Sequence, residues 1–570
     1  MFAEKQSSSY YRENEDSHIV VNCYSPPYVE PKNEKISISC VSDFPELNGE
    51  YTDAISVINI SKCNMTEFSS DVFLQCGKLR ETIYEECNFE KGDFGQTGDL
   101  ELLQLTNNNF GETPIPLSIN TTNMKGLVFN KNNINVESFA LINNPAKTEL
   151  QFIILTDMEK PNFTKDLLKN STKLKIVSMS SNNLKCVESI ELPDSVKWLD
   201  LSHNNITQLP SSSFWTFGHR NLQILQLDGN QIHQIDPDAF SQLTELLVLS
   251  MRENNISTLT EKTFANMYKL ETIKFGTNKL NNIETFRTIP NLRTLELPNN
   301  EITALNRTFF NRLNNLETID LSGNPITEID SHTFENLNYL KKINLNDGKL
   351  KTIDMGAFVY TSNLEYLNLS NNQIEYLVNT KRENKYNGPH NSNLYLFHKY
   401  HVEWAEPGVY WQKFFAEKAQ NLFGNILSNY GAFSVNALDL SRNRLTSIES
   451  NIFENFKNIF SVILSNNPIQ SIHKKSFVGM NNIKNLHLDY CKLESVDFTT
   501  FSILPKLELL NLSYNHLKRI DYSIMPLPIF TIRELWLNNN QLTDLPFNKS
   551  NLPKLWHFSF ENNNRSCALS

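Results

Sequence analysis

Residues 292–326 read LRTLELPNNEITALNRTFFNRLNNLETIDLSGNPI, and the same frame occurs twice within them. Leu292, Leu295, Leu297, Asn300 and Ile302 fill the pattern L-x-x-L-x-L-x-x-N-x-L once, and Leu316, Ile319, Leu321, Asn324 and Ile326 fill it again. Phe310 stands ten residues beyond the first Asn. Working outward, the frame returns at Leu222, Leu225, Leu227, Asn230 and Ile232, and at Leu507, Leu510, Leu512, Asn515 and Leu517. The Asn position falls at 63, 87, 108, 132, 158, 182, 204, 230, 254, 278, 300, 324, 348 and 372, then at 443, 467, 491, 515, 540 and 563. These are twenty rungs, spaced by 21 to 26 residues except for one step of 71.

A period this steady is the mark of a stacked array. Apolar residues at alternate positions of a short strand point inward, and one rung alone has no core, so each must bury them against its neighbours. The expected fold is an α/β solenoid with a parallel sheet on its concave face and a mostly irregular convex side. The recurring Asn turns inward where the chain leaves the strand, and its amide meets backbone groups that would otherwise be buried unpaired. Cys63, Cys87 and Cys491 take that position in three rungs, while Met158 and Gly348 interrupt the polar ladder. A Phe ten residues past the ladder position recurs at 73, 214, 240, 264, 310, 334, 358, 453, 477 and 501, and supplies a second inward anchor.

Composition agrees with a long continuous core, since 40% of residues are hydrophobic and 20% charged. Net charge is −11 and no run of Lys and Arg concentrates positive charge, which counts against nucleic acid or another polyanion as partner. No stretch approaches the roughly 20 apolar residues of a membrane span. The first residues, MFAEKQSSSYYRENEDSH, lack the apolar centre of a secretory signal. Secretion is favoured instead by twelve N-x-S/T sequons, at Asn59, Asn64, Asn120, Asn162, Asn170, Asn205, Asn255, Asn306, Asn368, Asn511, Asn548 and Asn564. Five of the eight cysteines (Cys23, Cys40, Cys63, Cys76, Cys87) lie in the first 90 residues, as in an N-terminal disulfide cap. Cys63 and Cys87 occupy equivalent positions of consecutive rungs about 4.8 Å apart, so they are either bridged or two thiols replacing ladder amides.

The 24-residue frame with its distal Phe resembles the extracellular class of leucine-rich repeats, as in Toll-type receptor ectodomains and insect leucine-rich immune proteins. The resemblance spans residues 55 to 563 and implies a leucine-rich-repeat horseshoe of about twenty 24-residue repeats. Cys23 and Cys40 ahead of a degenerate first rung are similar to the cap of the mosquito proteins in that group, which implies a disulfide between them. A C-terminal cysteine cap beyond Cys567, a heptad coiled coil and a cytoplasmic signalling domain, which such relatives carry, have no counterpart in this sequence.

The chain therefore divides into a polar segment with a cysteine cap (1–54), repeats (55–377), an insertion (378–434), further repeats (435–563) and a tail (564–570). The insertion carries Trp404, Tyr410 and Trp411, then Phe414, Phe415, Ala419, Leu422, Phe423 and Ile426 at helical spacing. It reads either as a helix packed on the flank of a rung that has lost its Phe to Arg382, or as a binding loop. His390, His398 and His401 within it lack the spacing and neighbours of a metal site.

No nucleotide loop, nucleophile motif or acid–base pair stands out, so no catalytic residue, metal or cofactor is assigned and the chain reads as a non-enzyme. Function must then come from the solvent-facing positions of the sheet. The residue between the two inward leucines reads Gln226, Ser250, Lys274, Glu296, Asp320, Asn344 and Asn368, then Asp439, Ile463, His487, Asn511 and Trp536. Ile463, His487 and Trp536, with Tyr490 and Tyr514 beside them, form the favoured binding surface, because solvent-facing aromatics anchor interfaces. The sequon-free row from Gln226 to Asn344 is the second candidate, and a sugar on Asn511 would sit between His487 and Trp536. The expected role is recognition of a protein ligand or co-receptor outside the cell, as a secreted factor or a receptor ectodomain, with dimerisation open. An adhesive or structural matrix component is the alternative.

Overall fold

The computed structural model describes residues 18–22, 35–39, 56–65, 79–89, 100–111, 123–133, 149–158, 168–379, 436–521, 531–543 and 552–564. Within 168–379 it leaves out 169–170, 188–190, 216, 306–308, 332, 335–336 and 360. Two compact units divide the chain, Met1–Leu270 and Glu271–Ser570, called units 1 and 2 below.

Each unit is a stack of rungs whose strands pair in parallel in the order of the chain. Unit 1 has eleven such strands, from His18–Asn22 to Val248–Ser250, and unit 2 has eleven, from Thr272–Lys274 to His557–Ser559. Every one of the twenty rungs read from the sequence contributes a strand. Two further strands, His18–Asn22 and Lys35–Ser39, pair in parallel ahead of Val57–Ser61 in the segment expected to be polar cap. They lack the leucine frame, so the repeat count missed them.

Register follows the frame. Leu295 lies opposite Ile319, and Ile319 opposite Ile343. These inward residues are fully buried, as are Leu367, Leu438, Val462, Leu486, Leu510 and Leu535. Each such side chain contributes about 1.5–3 kcal/mol. Across the step of 71, strand Tyr366–Asn368 pairs directly with Ala437–Asp439, placing Leu367 opposite Leu438. Residues 380–435 lie outside the described residues.

The ladder asparagines tie each rung to the one before it. Asn324 donates from Nδ2 to the carbonyls of Leu297 at 2.9 Å and Leu321 at 2.9 Å, and its Oδ1 accepts from the Ile302 N–H at 3.1 Å. Asn230, Asn443, Asn467, Asn515 and Asn540 likewise donate to the carbonyl three residues before the ladder position of the preceding rung. Where Cys replaces Asn the thiol points at the same kind of carbonyl, Cys87 at Ile60 and Cys491 at Leu464, each at 3.6 Å. Burial pushes these thiols up, Cys87 to about 11 and Cys491 to about 12, so both stay protonated and unreactive at neutral pH. Cys87 is a free thiol whereas Cys63 is disulfide-bonded, so the bridge between them is ruled out and Cys63 pairs elsewhere. Cys23 and Cys40 lie outside the described residues.

Two regularities accompany the ladder. The residue immediately before every ladder position is left-handed, with φ between +52° and +68° in all twenty rungs. A second set of amides, nine residues before the ladder position, also reaches back one rung. Asn221 donates to the Asp194 carbonyl at 2.9 Å, Asn315 to Pro290 at 3.2 Å, Asn363 to Asn338 at 2.7 Å and Asn482 to Lys457 at 2.9 Å. On the far side of the core the phenylalanines stack from rung to rung, with centroids 5.8 Å apart for Phe214 and Phe240 and 5.6 Å for Phe334 and Phe358. At the rung that lacks its Phe, Phe456 approaches Phe358 to 5.7 Å and carries the apolar file onward.

Asn324→Ala removes the three ladder bonds of this side chain, and a longer one to the Ser322 carbonyl at 3.4 Å, from a buried site and is expected to destabilise unit 2 by about 1–3 kcal/mol in chemical denaturation. Gly348→Ala destabilises too, for a steric reason the sequence did not show: an added Cβ would meet Asn372 Oδ1 at 2.6 Å and the Asn324 carbonyl at 3.1 Å. Equal stability of either variant and the parent would contradict this account. In unit 1, His219 is buried against the edge of Phe214, and burial lowers its pKa from 6.5 to about 4. Between those pH values the unfolded chain takes up the proton and the native one does not, so stability is lost as pH falls from 6.5 towards 4. Up to about 3 kcal/mol of that loss should vanish in His219→Gln, judged from urea melts of both proteins across the range.

Candidate functional site

Along the sheet of unit 2 the outward residues of the last rungs stand in register, Asp439, Ile463, His487, Asn511, Trp536 and Ser559 in succession. Ile463, His487 and Trp536 are half-buried, as outward residues of a parallel sheet flanked on both sides must be. Trp536 packs against His557 of the next strand with ring centroids 4.3 Å apart, and Trp556 meets the same imidazole at 5.9 Å. Trp556 is 71% exposed. His557 and Trp556 were missed from the sequence, although the last rung places them two and three residues before the favoured row.

Tyr490 and Tyr514 occupy the left-handed position before Cys491 and Asn515, each at φ +52°. Their rings stack at 4.2 Å with planes 8° apart, and both remain exposed, at 50% and 42%. A side-chain hydrogen bond with Tyr514 is the main reason the Tyr490 hydroxyl titrates above the ordinary tyrosine range. Burial holds the His487 imidazole below its ordinary range, against the pull of Asp489, Asp439 and Glu534. Asp489 accepts from Ser465 Oγ at 2.7 Å and from Asn511 Nδ2 at 3.1 Å. Asn511 Oδ1 in turn accepts from Ser513 N and Oγ, so the sequon asparagine is engaged at both ends of its amide.

The second candidate row is different in kind. Gln226, Ser250 and Lys274 were expected to face solvent and are instead buried. Gln226 Oε1 accepts from Trp198 Nε1 at 2.7 Å, Ser250 Oγ donates to Asp228 at 2.7 Å, and Lys274 pairs with Glu296 at 3.6 Å. Glu296, Asp320 and Asn344 are half-buried. Burial raises the Asp320 carboxyl above the usual carboxylate range despite hydrogen bonds from Ser322. In unit 1 the neighbouring outward row is apolar. Leu102, Phe152, Ile176, Trp198, Ile224 and Val248 fill it, none more than 5% exposed. Those side chains are closed to solvent, whereas in unit 2 the same row is mixed, with Thr272, Thr294, Ala437 and Ser461 buried and Lys342, Tyr366, Asn485, Leu509, Glu534 and His557 half-buried.

Trp404, Tyr410 and Trp411 of the insertion, and the sequons at Asn120, Asn162, Asn170, Asn306 and Asn548, lie outside the described residues. Asn255 and Asn564 are exposed, while Asn59, Asn64, Asn205 and Asn368 are half-buried. No helix among the described residues is long and apolar enough to cross a membrane. No group of three or more acidic, His or Cys side chains there could hold a metal ion.

Residues 220–280, 290–347, 338–380, 434–493 and 481–542 match a family model described as Leucine rich repeat, and 195–217 match a second model of the same description. The chain is a leucine-rich-repeat protein. It is similar to human Toll-like receptor 3, 27% identical over 26% of this chain and 21% of the receptor. It is also similar to bovine osteomodulin, 31% identical over 30% of this chain and 40% of that protein. The chain thus spans well under half of the length of either relative. Among solved structures, Toll in the Drosophila Toll–Spatzle complex aligns with 96% of this leucine-rich-repeat chain and 61% of its own, with TM-score 0.59 and 17% identity. That likeness shows the fold, and the Toll relatives agree with the Toll-type resemblance of the frame.

If the stacked pair is a surface feature without structural duty, Tyr490→Asn with Tyr514→Asn should leave stability within about 1 kcal/mol of the parent. Asn tolerates the left-handed backbone, and the stack it replaces is worth only about 0.5–1.5 kcal/mol. A loss of several kcal/mol in a denaturant melt would make the tyrosines structural.

Proposed function

We propose that this chain is an extracellular, non-catalytic protein-recognition scaffold, a secreted immune-type factor or a receptor ectodomain. Its binding surface is the outer face of the sheet in the rungs of unit 2 from Asp439 to Ser559. Tyr490, Tyr514, Trp536 and Ile463 are the anchors, with Trp556 and the imidazoles of His487 and His557 between them.

The observation that carries this reading is the tyrosine pair. The left-handed position is filled by Asn at 107, 299, 371, 466, 539 and 562, where it costs little. A bulky residue in that conformation costs about 1–2 kcal/mol, and here two stand side by side with half of their surface in water. Every rung carries a left-handed residue here, and what sets this pair apart is two exposed aromatic rings stacked on neighbouring rungs. Large rigid aromatics with an exposed polar tip are the groups that carry binding energy at protein interfaces. The disulfide at Cys63 supports an oxidising compartment. At the level of fold alone, the Toll chain it resembles was solved in complex with Spatzle.

The test is capture of partners from extracellular fluid of the source organism, with the parent chain and the Tyr490→Asn, Tyr514→Asn variant as baits. A protein recovered by the parent and lost with the folded variant is the expected result. Undiminished recovery by the variant overturns the assignment of the surface. Recovery of matrix material by both baits, with no saturable protein among it, favours the adhesive alternative.

A further inference from the structure

The edge of the unit 2 sheet where the chain runs into each strand carries a feature that the aromatic face does not use. Two adjoining cavities of about 450 and 370 Å³ open there, and Lys484 and Lys506 line both. Arg533 and Lys554 complete the second, against one carboxylate, Glu508. The first has Glu365 at its other end, with Asn436, Asn458 and Asn482 between.

The sequence hid this strip because its cations lie 22, 27 and 21 residues apart. Lys484 and Arg533 stand seven residues before their ladder positions, and Lys506 and Lys554 nine before theirs. Stacking of rungs at about 4.8 Å turns that periodicity into one basic file on a chain of net charge −11. Elsewhere in unit 2 the position seven before the ladder balances its charges, as Arg293 lies between Glu271 at 3.5 Å and Glu317 at 2.7 Å, and Lys341 pairs with Glu317 at 2.7 Å. In the groove Glu508 alone faces Lys484 at 3.9 Å and Arg533 at 3.6 Å, while Lys506 donates to the neutral Asn482 amide at 2.7 Å. Positive charge is left over.

We propose that this groove binds a sulfated polysaccharide. Apart from Phe460 and Pro505 every lining residue carries a polar or charged group, four of them cationic and two acidic, and the stems of those side chains supply the rest of the apolar surface. A peptide would need apolar pockets for its anchors, whereas a hydroxyl-rich chain with regularly repeated anions needs donors at regular spacing. Binding is driven by release of counterions from the polymer and weakens as salt screens the charges. The groove shares no lining residue with the aromatic face, although Trp556 adjoins Arg533 on the same edge, and the substitutions below leave every aromatic anchor in place, so either assignment can fail without the other.

The experiment titrates the full chain with a size-defined heparin fragment and its desulfated counterpart over a series of salt concentrations. Lys484→Gln, Lys506→Gln and Lys554→Gln are combined in one variant, and Lys173→Gln, Lys185→Gln and Lys262→Gln, all exposed in unit 1, in a control. Melting temperatures should match, because exposed ion pairs add little to stability. Binding of the sulfated fragment alone is expected, with at least about tenfold loss in the groove variant, a shallower salt slope and no loss in the control. An equal loss in the control reduces the effect to bulk charge and overturns the proposal. So does binding of polyglutamate as tight as that of the sulfated fragment, which would make an acidic protein segment the occupant, or no binding at low salt.

Discussion

A chain that turns sharply inside a packed interior leaves peptide groups that neither a strand nor water can reach. One carboxamide in each of fifteen rungs meets them here, as at Asn324, which donates to two carbonyls and accepts one N–H across a rung boundary. Everything else about the array depends on that arrangement. The turn has to be tight enough to aim the amide inward, so the preceding residue is forced into the left-handed region. That residue is forced outward in turn, and the leucines on either side of it are fixed to the interior. The thiols at 87 and 491 show how little tolerance exists: they reach toward the same carbonyls but give a longer and weaker bond than the amide does.

Most of this was readable from spacing alone. Leucine alternation fixes which face of each strand is interior, and the recurrent Asn fixes the register, so the strand of every frame rung fell where the pattern placed it. The left-handed column also left a trace, since ten of its twenty members are Asn, Asp or Gly, but the other ten diluted it. The strands at 18–22 and 35–39 carry neither leucine frame nor ladder Asn, and only their spacing of about one rung connects them to the array. Outward positions were harder to read. Gln226, Ser250 and Lys274 are polar residues at positions that the repeat leaves outside, yet each is buried with a partner of its own. Polarity in the row therefore does not measure access to solvent, because a neighbouring Trp or carboxylate can close over it.

The two units use the same frame for different surfaces. In unit 1 the outward row is built from Leu, Phe, Ile, Trp and Val and is sealed from water, which makes it in effect a second core. In unit 2 the corresponding positions are more polar, and although Thr272, Thr294, Ala437 and Ser461 are buried, Lys342, Tyr366, Asn485, Glu534 and His557 stay half-open. Around His487 the two influences oppose each other, burial lowering the imidazole's pKa and Asp489, Asp439 and Glu534 raising it. Side chains on such a lattice can vary freely in type without disturbing the interior, so the identity of the outward residues, and not the frame, distinguishes one array of this kind from another.

The ladder also has a direction. Each amide serves the rung that came before it in the chain, so a rung depends for its buried N–H on the one that follows. Insertions or losses of a few residues inside a rung would misalign donor and acceptor, whereas gain or loss of one whole period leaves every bond intact. Length in such a molecule can change only in steps of one rung, about 24 residues at a time. Longer excursions are tolerated where the chain leaves after one ladder asparagine and rejoins before the next, as it does between Asn372 and Asn443, whose rungs remain bonded through Ile374 and Leu369.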